Sequence, residues 1–171
     1  SPNRFPYANT IEELTEFIAK LKDISQKPVG MKIVISDAEQ LDDIISCMKD
    51  RDKAGEAIPD FITVDGADGG SATAPLELME GVGLSLLNSL YLVDFYLRMY
   101  QLREKVTVVG SSKILTPDDI AVALCMGADM VGIARGFMMS GGCIRARHCS
   151  GADGKKCPVG MATQDKKKRL S

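Results

Sequence analysis

The sequence predicts an α/β fold of parallel βα repeats, and three observations carry that expectation. Short β-rich runs alternate with longer amphipathic stretches. The strand runs are apolar at nearly every position, and glycine-bearing loops follow them.

In chain order, Thr10 to Lys22 opens with a Thr-Ile-Glu-Glu capping pattern and places Ile11, Leu14, Phe17, Ile18 and Leu21 on one helical stripe. Met31 to Ile35 reads as the first strand. Asp37 to Lys49 is a second helix, with Leu41, Ile44, Ile45 and Met48 facing inward. Phe61 to Val64 is the second strand, followed by a Gly/Ala/Ser/Pro-rich insertion from Gly66 to Gly83. Leu84 to Leu102 forms the longest helix and Val106 to Val109 the third strand. Thr116-Pro117-Asp118-Asp119 starts a helix that stops at Gly127. Met130 to Ile133 is the fourth strand, and a last helix starts near Gly136. Apart from Lys32 and the threonines these strands lack polar alternation, which suits a sheet covered on both faces. Four strands fit either a small open sheet or half of a (β/α)8 barrel, whose full form takes about 250 residues.

Composition excludes several functions. The chain has 171 residues, 45% hydrophobic and 26% charged, with a net charge of −2. That balance gives no long-range attraction to nucleic acid or an anionic membrane. No apolar run approaches the roughly 20 residues of a membrane-spanning helix. Ser1-Pro2-Asn3-Arg4 does not read as a secretory signal. Five cysteines without an export signal point to a reducing, cytoplasmic setting rather than a disulfide framework. One partial domain, 1–171, with a cysteine-rich segment 141–165, is the expected organisation.

Four features have chemical potential. The Asp65-Gly-Ala-Asp-Gly-Gly-Ser-Ala-Thr-Ala-Pro75 loop follows a strand, where Gly69 and Gly70 let a flat ligand approach the backbone. Gly110-Ser111-Ser112-Lys113 ends the third strand, and Ala134-Arg135-Gly136 follows the fourth. Hydroxyls, cations and amides on consecutive strand ends suit a phosphate. Lys32, inside an apolar strand, needs a partner or a bound anion. In an open sheet it would snorkel to solvent; in a barrel it would reach the ligand end. Finally, Cys143, Cys149 and Cys157-Pro158 lie close together, which suits an iron–sulfur cluster or, with His148, zinc. Cys47 and Cys125 read as inert core residues on helix faces.

These segments resemble the C-terminal half of the FMN-binding domain of the glutamate synthase family, closest to its single-domain members. The resemblance rests on Lys27-Pro-Val-Gly-Met-Lys32, the Asp60-to-Pro75 run, Ser112-Lys-Ile-Leu-Thr116, Gly127-Ala-Asp129, Ala134-Arg-Gly136, Gly142-Cys143, Cys149 and Cys157-Pro-Val-Gly-Met-Ala-Thr-Gln-Asp165. It implies strands five to eight of a TIM barrel and reductive amination of 2-oxoglutarate with ammonia, free or glutamine-derived, to give glutamate. Lys32 would act in catalysis and contact the flavin ring. Asp68, Gly69 and Gly70 would lie beside the cofactor, and Ser112, Lys113, Ala134 and Arg135 would hold the FMN phosphate. Cys143, Cys149 and Cys157 would ligate a 3Fe–4S cluster, although seven residues separate the last two where the family usually has four. An electron-donor protein or subunit and the N-terminal half of the barrel are the implied partners, and exposed sheet edges allow self-association. Two other readings remain at this point: an FMN barrel with another substrate, or a truncated domain without activity. His148, the only histidine, weighs against a hydroxy-acid oxidase, which needs a histidine base.

Overall fold

The computed structural model describes residues 6–67 and 82–143. Its elements run α1 (Ile11–Ser25), β1 (Met31–Val34), α2 (Ala38–Lys53), β2 (Phe61–Asp65), α3 (Leu86–Met99), β3 (Thr107–Ser111), α4 (Pro117–Cys125), β4 (Met130–Val131) and α5 (Arg135–Ser140).

Polar side chains start the helices where the sequence places them. The Thr10 Oγ1 accepts the Glu13 backbone N–H at 3.2 Å. Glu13 Oε2 in turn accepts from the Asn9 N–H at 2.6 Å, one residue earlier than a reciprocal capping box requires. Asp37 caps α2 through the Gln40 N–H at 2.8 Å. Thr116 and Asp119 form the full reciprocal box at α4, with Pro117 in its first turn.

The four strands are parallel and ordered β1-β2-β3-β4, the order of the chain. This order decides the architecture. Right-handed crossovers between successive neighbours put every helix on the same side, whereas a doubly wound sheet reverses direction and is covered on both. Chain order throughout is the arrangement of a (β/α) barrel sector. The core agrees: Ile62, Val64 and Val108 are fully buried in one cluster with Ile45, Met48, Leu90, Val93 and Leu97. Each such side chain contributes about 1.5–3 kcal/mol relative to an exposed position.

The expectation of a sheet covered on both faces is corrected. Burial alternates along β2 and β3, and the residues between the buried ones stay half-exposed. In register, Lys32, Thr63, Val109 and Met130 form one row of the uncovered face, and Val34, Asp65 and Ser111 contribute to the next. Lys32 and Met130 are exposed, and Val34 is 46% exposed. In a closed barrel that face is the interior, so apolar residues on both faces of a strand are compatible with helices on only one.

The cysteine expectation is corrected as well. Cys125 is exposed. It lies two residues beyond the buried Ala123, which is about 200° around the helix. Cys47 is half-buried, with its Sγ 3.6 Å from Thr15 Oγ1.

Charged groups pin the opposite end of the sheet, where the strands begin. Lys22 Nζ pairs with Asp60 Oδ1 at 2.8 Å, and Asp60 Oδ2 accepts the Val29 N–H at 2.8 Å. Arg103 donates from Nε to Asp94 Oδ1 and from Nη2 to Asp129 Oδ1, both at 2.7 Å, and also reaches the Val106 and Gly127 carbonyls. Asp129 Oδ2 accepts the Val108 N–H at 2.7 Å, tying the β4 entry to β3. Gly127 has φ +107, and a Cβ there would lie 2.5 Å from that of Asp94, so the chain can turn beneath the clasp only as glycine.

Burial alone would raise the carboxyls of Asp94 and Asp129. The hydrogen bonds from Arg98 and Arg103 to Asp94, and from Arg103 and the Val108 N–H to Asp129, outweigh it and hold both below the usual range. Because the folded values are depressed, the unfolded chain binds more protons in acid. Their contribution is complete above the unfolded carboxylate value, near 3.9, and is lost as pH falls through the folded ones. Arg103→Ala is expected to cost about 2–3 kcal/mol at pH 7, since it leaves the partly buried Asp129 without an ion-pair partner and Asp94 with Arg98 alone. It should also flatten the loss of stability between about pH 5 and pH 2. Urea midpoints across that range, at constant m, check both.

Candidate functional site

The candidate site lies at the C-terminal ends of the strands. β3 ends at Ser111 and leads into Ser112-Lys113; β4 ends at Val131, and the chain continues through Gly132 to Ala134, the residue before α5. The Gly132 N–H bonds to the Gly110 carbonyl at 2.8 Å, which keeps the two strand ends side by side. Between them is a recess of about 140 Å³ lined by Ser111, Ser112, Lys113, Ile114, Gly132, Ala134 and Arg135. That is the volume of four or five water molecules, enough for a tetrahedral anion. The four residues expected to hold a phosphate therefore share one cavity.

Its chemistry favours an anion. Lys113 and Arg135 are both exposed, and neither forms an ion pair with a described carboxylate. Two uncompensated cations beside hydroxyls raise the local positive potential. Lys113 has φ +41, a left-handed conformation that is costly for a non-glycine residue and is typical of binding loops. The small residues at 132 and 134 leave the recess open, and a Cβ at Gly132 would come within 3.5 Å of Ser111 Oγ. A second recess of about 320 Å³ shares Ser112, Lys113 and Ile114 and extends over Ser85, Leu86, Leu87, Asp119 and Val122. The sequence reading did not foresee it.

Lys32 is found in an ion pair with Asp65. It stands on the uncovered face, and its Nζ lies 2.7 Å from Asp65 Oδ2, with the lysine side chain 60% exposed and the aspartate 20%. Asp65 was not singled out as a site residue. The signal was its parity: it is the last residue of β2 and shares a face with Thr63, the register partner of Lys32.

Asp68, Gly69 and Gly70 lie outside the described residues, as do Cys149 and Cys157. Cys143 is half-buried just beyond α5. Among the described residues, no three His, Cys, Asp or Glu side chains group as metal ligands.

The fold is thus a parallel (β/α) barrel sector with a recess across its last two strand ends. Comparison with known proteins narrows this. The model of the conserved region in glutamate synthase matches residues 1–171, so the chain belongs to the glutamate synthase family. It is 47% identical over 167 residues to the glutamate synthase large subunit-like protein YerD of Bacillus subtilis (strain 168), covering 98% of this chain and 30% of that protein. An archaeal-type glutamate synthase (NADPH) of Thermotoga sp. (strain RQ2) is 31% identical over 95% of this chain and 31% of its own length. A ferredoxin-dependent glutamate synthase of Cyanidium caldarium is 36% identical over 69% of this chain and 7% of its own. The chain thus spans under a third of the curated relatives it matches. No described helix is long and apolar enough to cross a membrane.

Proposed function

We infer that this chain is the C-terminal half of an FMN-binding (β/α)8 barrel in a glutamate synthase-like oxidoreductase that forms glutamate from 2-oxoglutarate and ammonia. The observation that carries this reading is the single recess joining Ser112-Lys113 to Ala134-Arg135, within a chain of this family. The residues suit FMN: two cations and a hydroxyl for the phosphate, small residues where the group enters, and an ammonium on the same uncovered face. Lys32 stands two strands from β3, roughly 10 Å away at normal strand spacing.

FMN, when bound, supplies the hydride. Lys113 and Arg135 neutralise the phosphate dianion, and the Ser112 hydroxyl donates to it. Lys32 Nζ carries three protons. It donates a hydrogen bond toward the ligand at the strand ends and gives a proton to the former carbonyl oxygen of the substrate, which departs as water during imine formation. Asp68, Gly69 and Gly70 would be among the residues that hold the cofactor. Cys143, Cys149 and Cys157 would hold an iron–sulfur cluster, which would supply electrons. The electron donor is NADPH or ferredoxin, as the names of the relatives suggest. The N-terminal half of the barrel covers the open face, and the protein works in the cytoplasm.

The test is made on the intact protein. Purified, it is expected to carry about one FMN per chain and, with reduced donor, to form glutamate from 2-oxoglutarate and ammonium. A colourless protein that gains no flavin absorbance on adding FMN would sink the reading. Flavin without glutamate formation would favour a related barrel with another substrate.

A further inference from the structure

Within the four strands, only Lys32 and Asp65 carry charge. They occupy adjacent strands and the same uncovered face, although Lys32 is opposite Thr63 in the register and Asp65 is two residues further along. To meet at 2.7 Å the lysine stem must lean roughly 7 Å toward the strand C-termini. Left alone, a four-carbon stem ending in an ammonium samples many rotamers and carries a large entropy. The ion pair with Asp65 narrows that freedom and leaves ammonium protons to donate elsewhere. The carboxylate is itself held by its place: it ends β2, and the buried Gly66 and Ala67 follow, with the Ala67 N–H bonded to the Leu84 carbonyl at 2.9 Å.

We propose that Asp65 is a positioning residue, whose carboxylate fixes the Lys32 ammonium at the C-terminal end of the uncovered face. The role rests on the function proposed above for Lys32, but the ion pair is a property of the chain itself. The other cations near this end, Lys113 and Arg135, sit past β3 and β4. α2, α3 and α4 cover the opposite face. Asp65 is therefore the one described carboxylate that faces Lys32.

The first test needs no flavin. Lys32 in the intact apo-protein is acetylated in trace amounts across a pH series, and the modified peptide is quantified by mass spectrometry against the exposed Lys53 as reference. Only the neutral amine reacts, so removing a neighbouring negative charge should raise labelling at fixed pH. Asp65→Asn is expected to increase Lys32 labelling several-fold, because the ammonium loses its neighbouring negative charge. Asp65→Glu should keep it near wild type. Unchanged labelling in Asp65→Asn overturns the proposal, and Asp65→Ser serves the same purpose should the asparagine variant not fold.

The second test uses turnover. Asp65→Asn should lower kcat about tenfold, move the alkaline limb of the kcat profile to lower pH, and retain FMN. In a Lys32→Ala background it should cost nothing more. Normal kcat and pH profile in Asp65→Asn, with Lys32→Ala impaired, would reject Asp65 as a positioning residue and leave the proposed function intact. Full turnover in Lys32→Ala would instead reject the role of Lys32, and the positioning role with it, whatever the labelling showed.

Discussion

Lys32→Ala is expected to reduce glutamate formation by about 100-fold or more while leaving FMN content within error of wild type. The magnitude follows from what a positioned proton donor contributes, about 10² to 10⁴ in rate. The selectivity follows from the site, because Lys32 lies on β1 and the phosphate recess lies between the ends of β3 and β4. Binding strength concentrated at Ser112, Lys113 and Arg135 survives the loss of a side chain two strands away. Stability should change little, since the lysine is 60% exposed and its ion pair with Asp65 is partly solvated. The check is kcat with flavin stoichiometry and thermal midpoint on one preparation. Wild-type turnover would remove the assigned role. A parallel loss of flavin would mean that Lys32 holds the cofactor rather than acting on substrate.

What could be read before the structure follows from the range of each signal. Helix positions come from a repeat contained within a few turns, so the inward residues of α2, Leu41, Ile44, Ile45 and Met48, are buried as expected. Strand positions are similarly local. That the two strand-end segments share one recess was legible because each follows its strand directly, and neighbouring parallel strands bring those ends together. Coverage of the sheet was not legible. Val34 and Met130 are as apolar as Ile62 and Val64, and only the order of the strands decides which of them meets a helix.

The Lys32–Asp65 pair shows the same limit at a longer range. Both residues are plain in the sequence, but their meeting depends on a register between strands separated by a complete helix. Cys125 was misplaced for a simpler reason. α4 has a single buried position, Ala123, so its apolar residues do not define one inward stripe, and Val122 and Leu124 are exposed with the cysteine.

The combined Lys113→Ala and Arg135→Ala variant is expected to weaken FMN binding about 100-fold. A charge-assisted hydrogen bond contributes about 1.5–3 kcal/mol. Because both cations are solvated, the lower value applies to each, and two give about 3 kcal/mol, or roughly two factors of ten in affinity. Neither side chain belongs to the hydrophobic core or to an ion pair among the described residues, so the fold should survive. Charge removal elsewhere must not mimic the effect. Lys53 on α2 pairs only with the exposed Asp50 at 3.2 Å, and Lys53→Ala supplies that control. Electrostatic origin adds a second signature: the wild type should lose FMN affinity steeply between 50 and 500 mM salt, because the Debye length shrinks from roughly 14 to 4 Å, and the double variant should lose much less. Fluorescence titration of the apo-protein measures both. Equal affinity and equal salt dependence in the two proteins would move the phosphate away from the ends of β3 and β4, and the cofactor reading of this face would go with it.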